Sequence, residues 1–356
     1  MKLIYAAGSK IPSNTANSVH VMRMCEALAG HGHDVTLLAK QGDAAVGDVF
    51  GHYGIRVRFG IETVPFANRS GLLGYLRRLD GLLDADLIIG RYLYPLVLAQ
   101  VRGRRTVYES HVLPTGRQRL LERWYFSRPG VLRHVVITEA LKRRYDATGL
   151  PEPVAGRVVI PDAAVDPGPS AGTGEQENLV IGYAGGWYAG RGIELIADLA
   201  TRFPQHRFRI AGGDAAGLGR LGLQVTSNMS CAGYLPHGQV AEFLKPCDIL
   251  VAPYRCRVSA YGDAGDISEF FSPMKLFEYM ALGKAIVCSD LPVLHEILDE
   301  TTGVLVDAGD VEAWVRALER LDADRDELRR LGHAARERFV ARHTWEQRSR
   351  RLLAGL

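Results

Sequence analysis

The hydrophobic pattern of this chain switches repeatedly between a strand period and a helix period, and that alternation constrains the fold more than any other feature. Short apolar runs read as strands at 2–7 (KLIYAA), 34–39 (DVTLLA), 55–59 (IRVRF), 86–91 (DLIIGR), 105–110 (RTVYES), 134–139 (HVVITE) and 157–160 (RVVI). Helical patterns lie between them. SVHVMRMCEALAG sets Val21, Met24, Cys25 and Leu28 on one face and stops at Gly30 and Gly32; LLGYLRRLDGLL does the same with Leu73, Leu76, Leu79 and Leu83. Parallel strands need a crossover between them, so this alternation builds βαβ units and a parallel sheet. A stretch rich in Pro, Gly, Ala and acids, PDAAVDPGPSAGTGEQEN at 161–178, interrupts the pattern and reads as a linker. The alternation then restarts with NLVIGYAG, GIELIADLATRF, RFRIAGG, VTSNMSCAGYL, HGQVAEFLK, DILVAPY and TGVLVD. Two charged helices follow, over roughly 310–321 and 325–341.

A chain of 356 residues is too long for one ordinary core. The expectation is an α/β protein of two doubly wound domains, at 1–165 and 179–335, with a linker at 166–178. A terminal helix within 336–356 is expected to pack back toward the first domain. Ligands of such sheets bind beyond the carboxyl ends of the strands, so the default site is the cleft between the domains.

Composition excludes other classes. No apolar run approaches the ~20 residues needed to span a bilayer. The start, MKLIYAAGSKIPS, reads as a first strand rather than a signal peptide. Five scattered cysteines without a CxxC read as free thiols of a reducing cytoplasm, and no zinc spacing is present. Net charge is +3, yet residues 91–145 carry twelve Lys/Arg against three acids. An anionic partner and plain solvated helix faces both account for that excess.

Two segments carry candidate chemistry. In SPMKLFEYMALGKAIVCSD, 272–290, Ser272 is expected as the N-cap and Pro273 as the first helical residue. Lys275 stands in the first turn, where the helix dipole disfavours a cation, with Glu278 three residues on. A diphosphate beyond the helix end satisfies the amides of Met274 and Lys275 and makes that lysine favourable. The Glu278 carboxylate matches the paired hydroxyls of a ribose. An ordinary Lys275–Glu278 salt bridge is the plain alternative. Upstream, GYAGGWYAGRG places Gly185 and Gly186 after a strand and Arg191 before a helix. Glycines admit a ligand to the backbone, and arginine is a bidentate phosphate donor; a tight turn with a surface arginine is the alternative.

These two segments, with ANSVHVMRMCEALAGHGHDVTLL near the start, resemble the GT-B glycosyltransferases of family 4, and YESHVLP, VVIPDAAVD and TWEQRSRRLL look like that family too. The resemblance implies a GT-B fold of two Rossmann-like domains and retaining transfer from a nucleoside-diphosphate sugar, without a metal or other cofactor. It implies catalytic roles for His111 near the reacting sugar, Arg191 and Lys275 at the diphosphate, and Glu278 at the ribose. Gly185, Gly186, Arg191, Pro273, Met274, Lys275, Glu278 and Asn17 are the implied donor-binding set, Asn17 belonging to an N-terminal loop at 13–17. Two positions depart from the family pattern: Phe270 stands where the first glutamate of its E-x7-E motif is expected, and Gly186 where it has an arginine. Glu269 is one position off.

Two features remain open. DAGDISE spaces Asp263, Asp266 and Glu269 by three, as an acidic loop or an oxygen-ligand metal site; the loop is preferred. GRQRLLERWYFSRPG, 116–130, interleaves four arginines with aromatics, as a helix on the sheet or on an anionic membrane. The expected partners are a nucleotide-sugar donor and a small-molecule, glycan or lipid-linked acceptor, and no nucleic acid. An epimerase on the same fold and a non-catalytic nucleotide-sugar binder are the rival functions.

Overall fold

A computed structural model describes residues 1–42, 46–66, 69–168, 177–259 and 266–356. They form two compact units, Met1–Asp162 together with Trp345–Leu356, and Ala163–Thr344.

The first unit runs β1 (Lys2–Ile11), α1 (Ala16–Gly30), β2 (Asp34–Gln41), α2 (Val49–Tyr53), β3 (Gly60–Val64), α3 (Arg69–Asp80), β4 (Leu87–Gly90), α4 (Leu93–Val101), β5 (Thr106–Ser110), α5 (Arg117–Phe126), β6 (Val131–Val136), α6 (Glu139–Asp146) and β7 (Arg157–Val159). Its parallel sheet has the order β3-β2-β1-β4-β5-β6-β7. The second unit runs β8 (Val180–Ala184), α7 (Ile193–Arg202), β9 (Arg207–Ala211), α8 (Ala215–Arg220), β10 (Met229–Cys231), α9 (His237–Leu244), β11 (Ile249–Ala252), α10 (Met274–Leu282), β12 (Ala285–Ser289), β13 (Val304–Val306), α11 (Val311–Ala323) and α12 (Arg325–Arg342). Its parallel sheet has the order β10-β9-β8-β11-β12-β13. The last helix, α13 (Trp345–Leu353), belongs to the first unit, where it lies against α1. This is the doubly wound α/β architecture expected from the alternation.

Helices on both faces bury the central strands completely: every residue of β5, β8, β11 and β12 is buried. Capping fixes where helices begin. The side chains of Thr15, Asp310 and Asp324 accept from the amides of Ser18, Ala313 and Glu327. In each sheet the winding reverses beside the first strand, at β1/β4 and at β8/β11, and the loops leaving those strands are where this architecture places ligands.

Three expectations are corrected. Residues 55–59 are not a strand: the amides of Arg56 and Val57 donate to Glu26 Oε1, at 2.6 and 3.3 Å, so a side chain takes the place of a ladder partner and β3 starts at Gly60. The terminal segment does not begin at 336, because α12 continues unbroken to Arg342 and the division falls at Trp345. The first division falls at Asp162/Ala163, ahead of the 166–178 stretch, of which 169–176 lie outside the described residues.

Candidate functional site

In the second unit the loops after β8 and β11 converge with the start of α10. The loop after β8 turns at Gly192, which has φ +74° and caps α7; a Cβ there would stand 1.8 Å from the Pro253 carbonyl oxygen, so only glycine lets the two loops touch. A Cβ on Gly185 would lie 2.5 Å from Lys275 Nζ, so the missing side chain is the space the amine occupies. Gly186 is turned toward the Tyr188 ring instead. Tyr279 of α10 is fully buried, and its hydroxyl accepts from the Ala184 amide at 2.9 Å, pinning α10 to the end of β8.

Pro273, not Ser272, is the N-cap of α10: it is extended, makes no side-chain cap bond, and its carbonyl accepts from the Leu276 amide. The amides of Met274 and Lys275 therefore stand in the uncapped first turn. Lys275 Nζ sits 4.0 Å from the centre of the Tyr183 ring and 5.3 Å from that of Tyr254. The Arg191 guanidinium lies 5.5 Å from the same Tyr254 ring. Neither cation forms an ion pair among the described residues. Burial first, and Arg191 second, push the Lys275 amine down to about 7. The plain Lys275–Glu278 salt bridge is absent there too. Glu278 Oε1 instead accepts from His237 Nε2 at 2.7 Å. Burial alone would raise that carboxyl, but His237 and Lys275 outweigh it and hold it below its ordinary value.

His237 is the residue of this site that sequence reasoning missed. It opens α9 just after Pro236, a helix start that gives no hint of a partner 41 residues away. Of the acidic loop, Asp263 lies outside the described residues. Asp266 Oδ1 accepts from the amides of Val258 and Ser268, the bonding of an ordinary loop.

In the first unit His111 follows β5, and Asn17 is exposed at the second position of α1. His111 Nε2 donates to Glu109 Oε1 at 2.6 Å. His20 Nε2 lies 3.0 Å from the same oxygen, and His20 Nδ1 lies 2.8 Å from Asp162 Oδ1. Arg348 of α13 reaches Glu109 Oε2 at 3.1 Å, and Arg91 Nε is 3.6 Å from Oε1. Trp345 meets His20 edge-on, with ring centres 5.1 Å apart. Burial would raise Glu109, but Arg348 and the two histidines hold it well below the carboxylate range. Burial and Arg91 push His111 down to about 4. His20, Glu109 and His111 also lie close enough together to bracket a metal ion. The carboxylate is already matched by Arg348 and two imidazoles, however, and two guanidinium groups beside it oppose a second cation. His111 and Asn17 thus belong to the first unit, and Arg191, Lys275, Glu278 and the glycine loop to the second.

These two units are the two sheets of the GT-B glycosyltransferase fold. The chain aligns with sucrose-phosphate synthase of Thermosynechococcus elongatus at a TM-score of 0.68 and 17% identity, over 99% of this chain and 97% of that one. It aligns with Anabaena Alr3699/HepE, solved in complex with UDP and glucose, at 0.71 and 15% identity over 100% of both chains. Residues 18–161 match the Glycosyltransferase Family 4 model, and residues 191–354 the model described as glycosyl transferase-like. Among curated proteins, alpha-maltose-1-phosphate synthase of Mycolicibacterium smegmatis is 33% identical over 118 residues, which are 31% of this chain and 27% of that protein.

Proposed function

We propose that this chain is a glycosyltransferase that moves a sugar from a nucleoside-diphosphate sugar to an acceptor, with retention at the anomeric carbon. The observation that carries the reading is the pair Arg191 and Lys275. Two cations share the ring of Tyr254, just past the carboxyl end of β11, and neither forms an ion pair among the described residues, beside an uncapped helix start. Two like charges held on one ring and partly shielded from water favour an anion, and a diphosphate with two negative phosphates supplies it. The solved complex of Alr3699/HepE with UDP supports a nucleotide at this fold.

In this reading the amides of Met274 and Lys275, Lys275 and Arg191 stabilise the departing diphosphate. Pro273 and the Gly185–Gly186 loop shape its seat, and Glu278 holds the ribose with the oxygen His237 leaves free. The leaving phosphate takes the acceptor proton on the face from which it departs, which gives retention. The two cations do the work of a metal at the leaving group, so no metal is required. His111 and Asn17 act on the sugar. The acceptor is a small molecule or a glycan or lipid-linked saccharide. No described helix is long and apolar enough to cross a membrane. The exposed Leu120 among Arg117, Arg119 and Arg123 on α5 suits peripheral contact with an anionic membrane at its cytoplasmic face.

Glu278→Ala tests the donor site. It is expected to weaken nucleoside-diphosphate binding by about 1.5–3 kcal/mol, the cost of a charged hydrogen bond, with the fold intact by circular dichroism. Equal affinity in variant and parent by calorimetry would remove Glu278 from the site. Product analysis without acceptor separates the rivals: an epimerase turns its donor over freely, a transferase hydrolyses it slowly, and a binder leaves it untouched.

A further inference from the structure

The fragments at the start, around the end of β5, before the second unit and at the end of the chain, of which only His111 was given a role from the sequence, meet in one cluster: His20, Glu109, His111, Asp162, Trp345 and Arg348. Its side chains are nearly inaccessible, at 0% for Glu109, 1% for Arg348 and 2% for His20. Burying such charges costs several kcal/mol per ion, and apolar residues of like volume are often as stable, so stability is weak grounds for keeping them. One member reaches the surface. His111 is 22% exposed, at the carboxyl edge of the sheet, with Nε2 turned inward to Glu109.

We infer that Glu109 is a positioning residue that fixes His111 as the Nε2–H tautomer, presenting Nδ1 outward as a hydrogen-bond acceptor, and that Arg348 of the last helix holds Glu109 in place. The inference rests on the proposed glycosyl transfer. Glu109 is ionised between Arg348 and two imidazoles, so a carboxylate oxygen 2.6 Å from Nε2 accepts and the proton sits on Nε2. The depressed basicity of His111 leaves the ring neutral near pH 7, so Nδ1 keeps its lone pair. It has no hydrogen-bond partner among the described residues and is free to accept from a substrate hydroxyl. Arg348 is itself anchored: its Nε donates to the Pro161 carbonyl at 2.9 Å. The terminal segment thus supports the histidine through one carboxylate. His20 completes the frame, one ring nitrogen facing Glu109 and the other Asp162, with Arg91 the remaining charged group facing the cluster.

The test uses the full chain labelled with nitrogen-15 histidine, His111 being assigned by its loss in His111→Gln. Long-range proton–nitrogen spectra at pH 7 are expected to show parent His111 as the Nε2–H tautomer. Glu109→Gln, which offers an amide in place of an obligate acceptor, is expected to shift His111 toward the other tautomer and to lower kcat by about 10- to 100-fold, the range for losing a group that orients a histidine. Affinity for nucleoside diphosphate should stay within about twofold, since the second unit is untouched. Arg348→Met should move both readouts the same way and Arg348→Lys should restore them. A parent His111 in the Nδ1–H form, or a Glu109→Gln protein with unchanged tautomer and kcat, overturns the inference. If the parent transfers no sugar, the spectra still decide the tautomer, so failure of the activity and failure of the positioning are told apart. Should Glu109→Gln not fold, the Arg348→Lys and Arg348→Met pair decides.

Discussion

Binding of nucleoside diphosphate is expected to draw a proton from solution. Lys275 forms no ion pair among the described residues, shares Tyr254 with Arg191, and is pushed from 10.5 to about 7, by burial first and Arg191 second, with Glu278 offsetting only part of this. Its folded value is below its unfolded value, so its contribution to stability is present in full above pH 10.5 and is lost as pH falls through about 7. A diphosphate reverses the preference by pairing with the charged amine. The free protein is half charged near pH 7 and only about 1% charged at pH 9, so if the charged form alone binds, affinity falls by about 50-fold across that interval. By the same count about 0.9 proton is taken up per diphosphate at pH 8. Calorimetry at pH 8 in two buffers of different ionisation enthalpy reads that number directly, and the diphosphate is already fully ionised there. Lys275→Met should bind more weakly and show neither uptake nor slope. Affinity independent of pH between 7 and 9 in the parent, with no proton exchanged, would refute the reasoning.

Gly192→Ala should destabilise the second unit by about 1–3 kcal/mol, because alanine meets a left-handed backbone and the Pro253 carbonyl together; an unchanged urea midpoint would show that the loops relax. If Arg191 and Lys275 supply the positive charge at the leaving group, as proposed, transfer should survive exhaustive EDTA; strict dependence on an added divalent metal would contradict that.

The doubly wound fold was legible because each buried strand and each amphipathic helix carries its own period. Residues 55–59 show the limit. Their alternation is that of a strand, yet Glu26 on α1 takes the amides of Arg56 and Val57, a contact across the fold that no local pattern contains. The α10 segment was legible in outline for the opposite reason: the conflict between a lysine and a helix start is local. The partners of the site residues were not legible. His237 meets Glu278 across 41 positions, and Arg348 meets Glu109 across more than two hundred, because sheet order and the return of α13 bring them together. Phe270 remains a departure from the family pattern, its amide donating to the Ile267 carbonyl within the loop.

The proposed transfer depends on a diphosphate seat made by Arg191 and Lys275. The most direct measurement titrates UDP, GDP and ADP, each beside its nucleoside, into the parent protein and into Arg191→Ala by calorimetry. One diphosphate should bind the parent with 1:1 stoichiometry and more tightly than its nucleoside, and Arg191→Ala should remove most of that difference while leaving the nucleoside alone. If no diphosphate binds, or if nucleoside and diphosphate bind the parent equally, the seat does not exist as described.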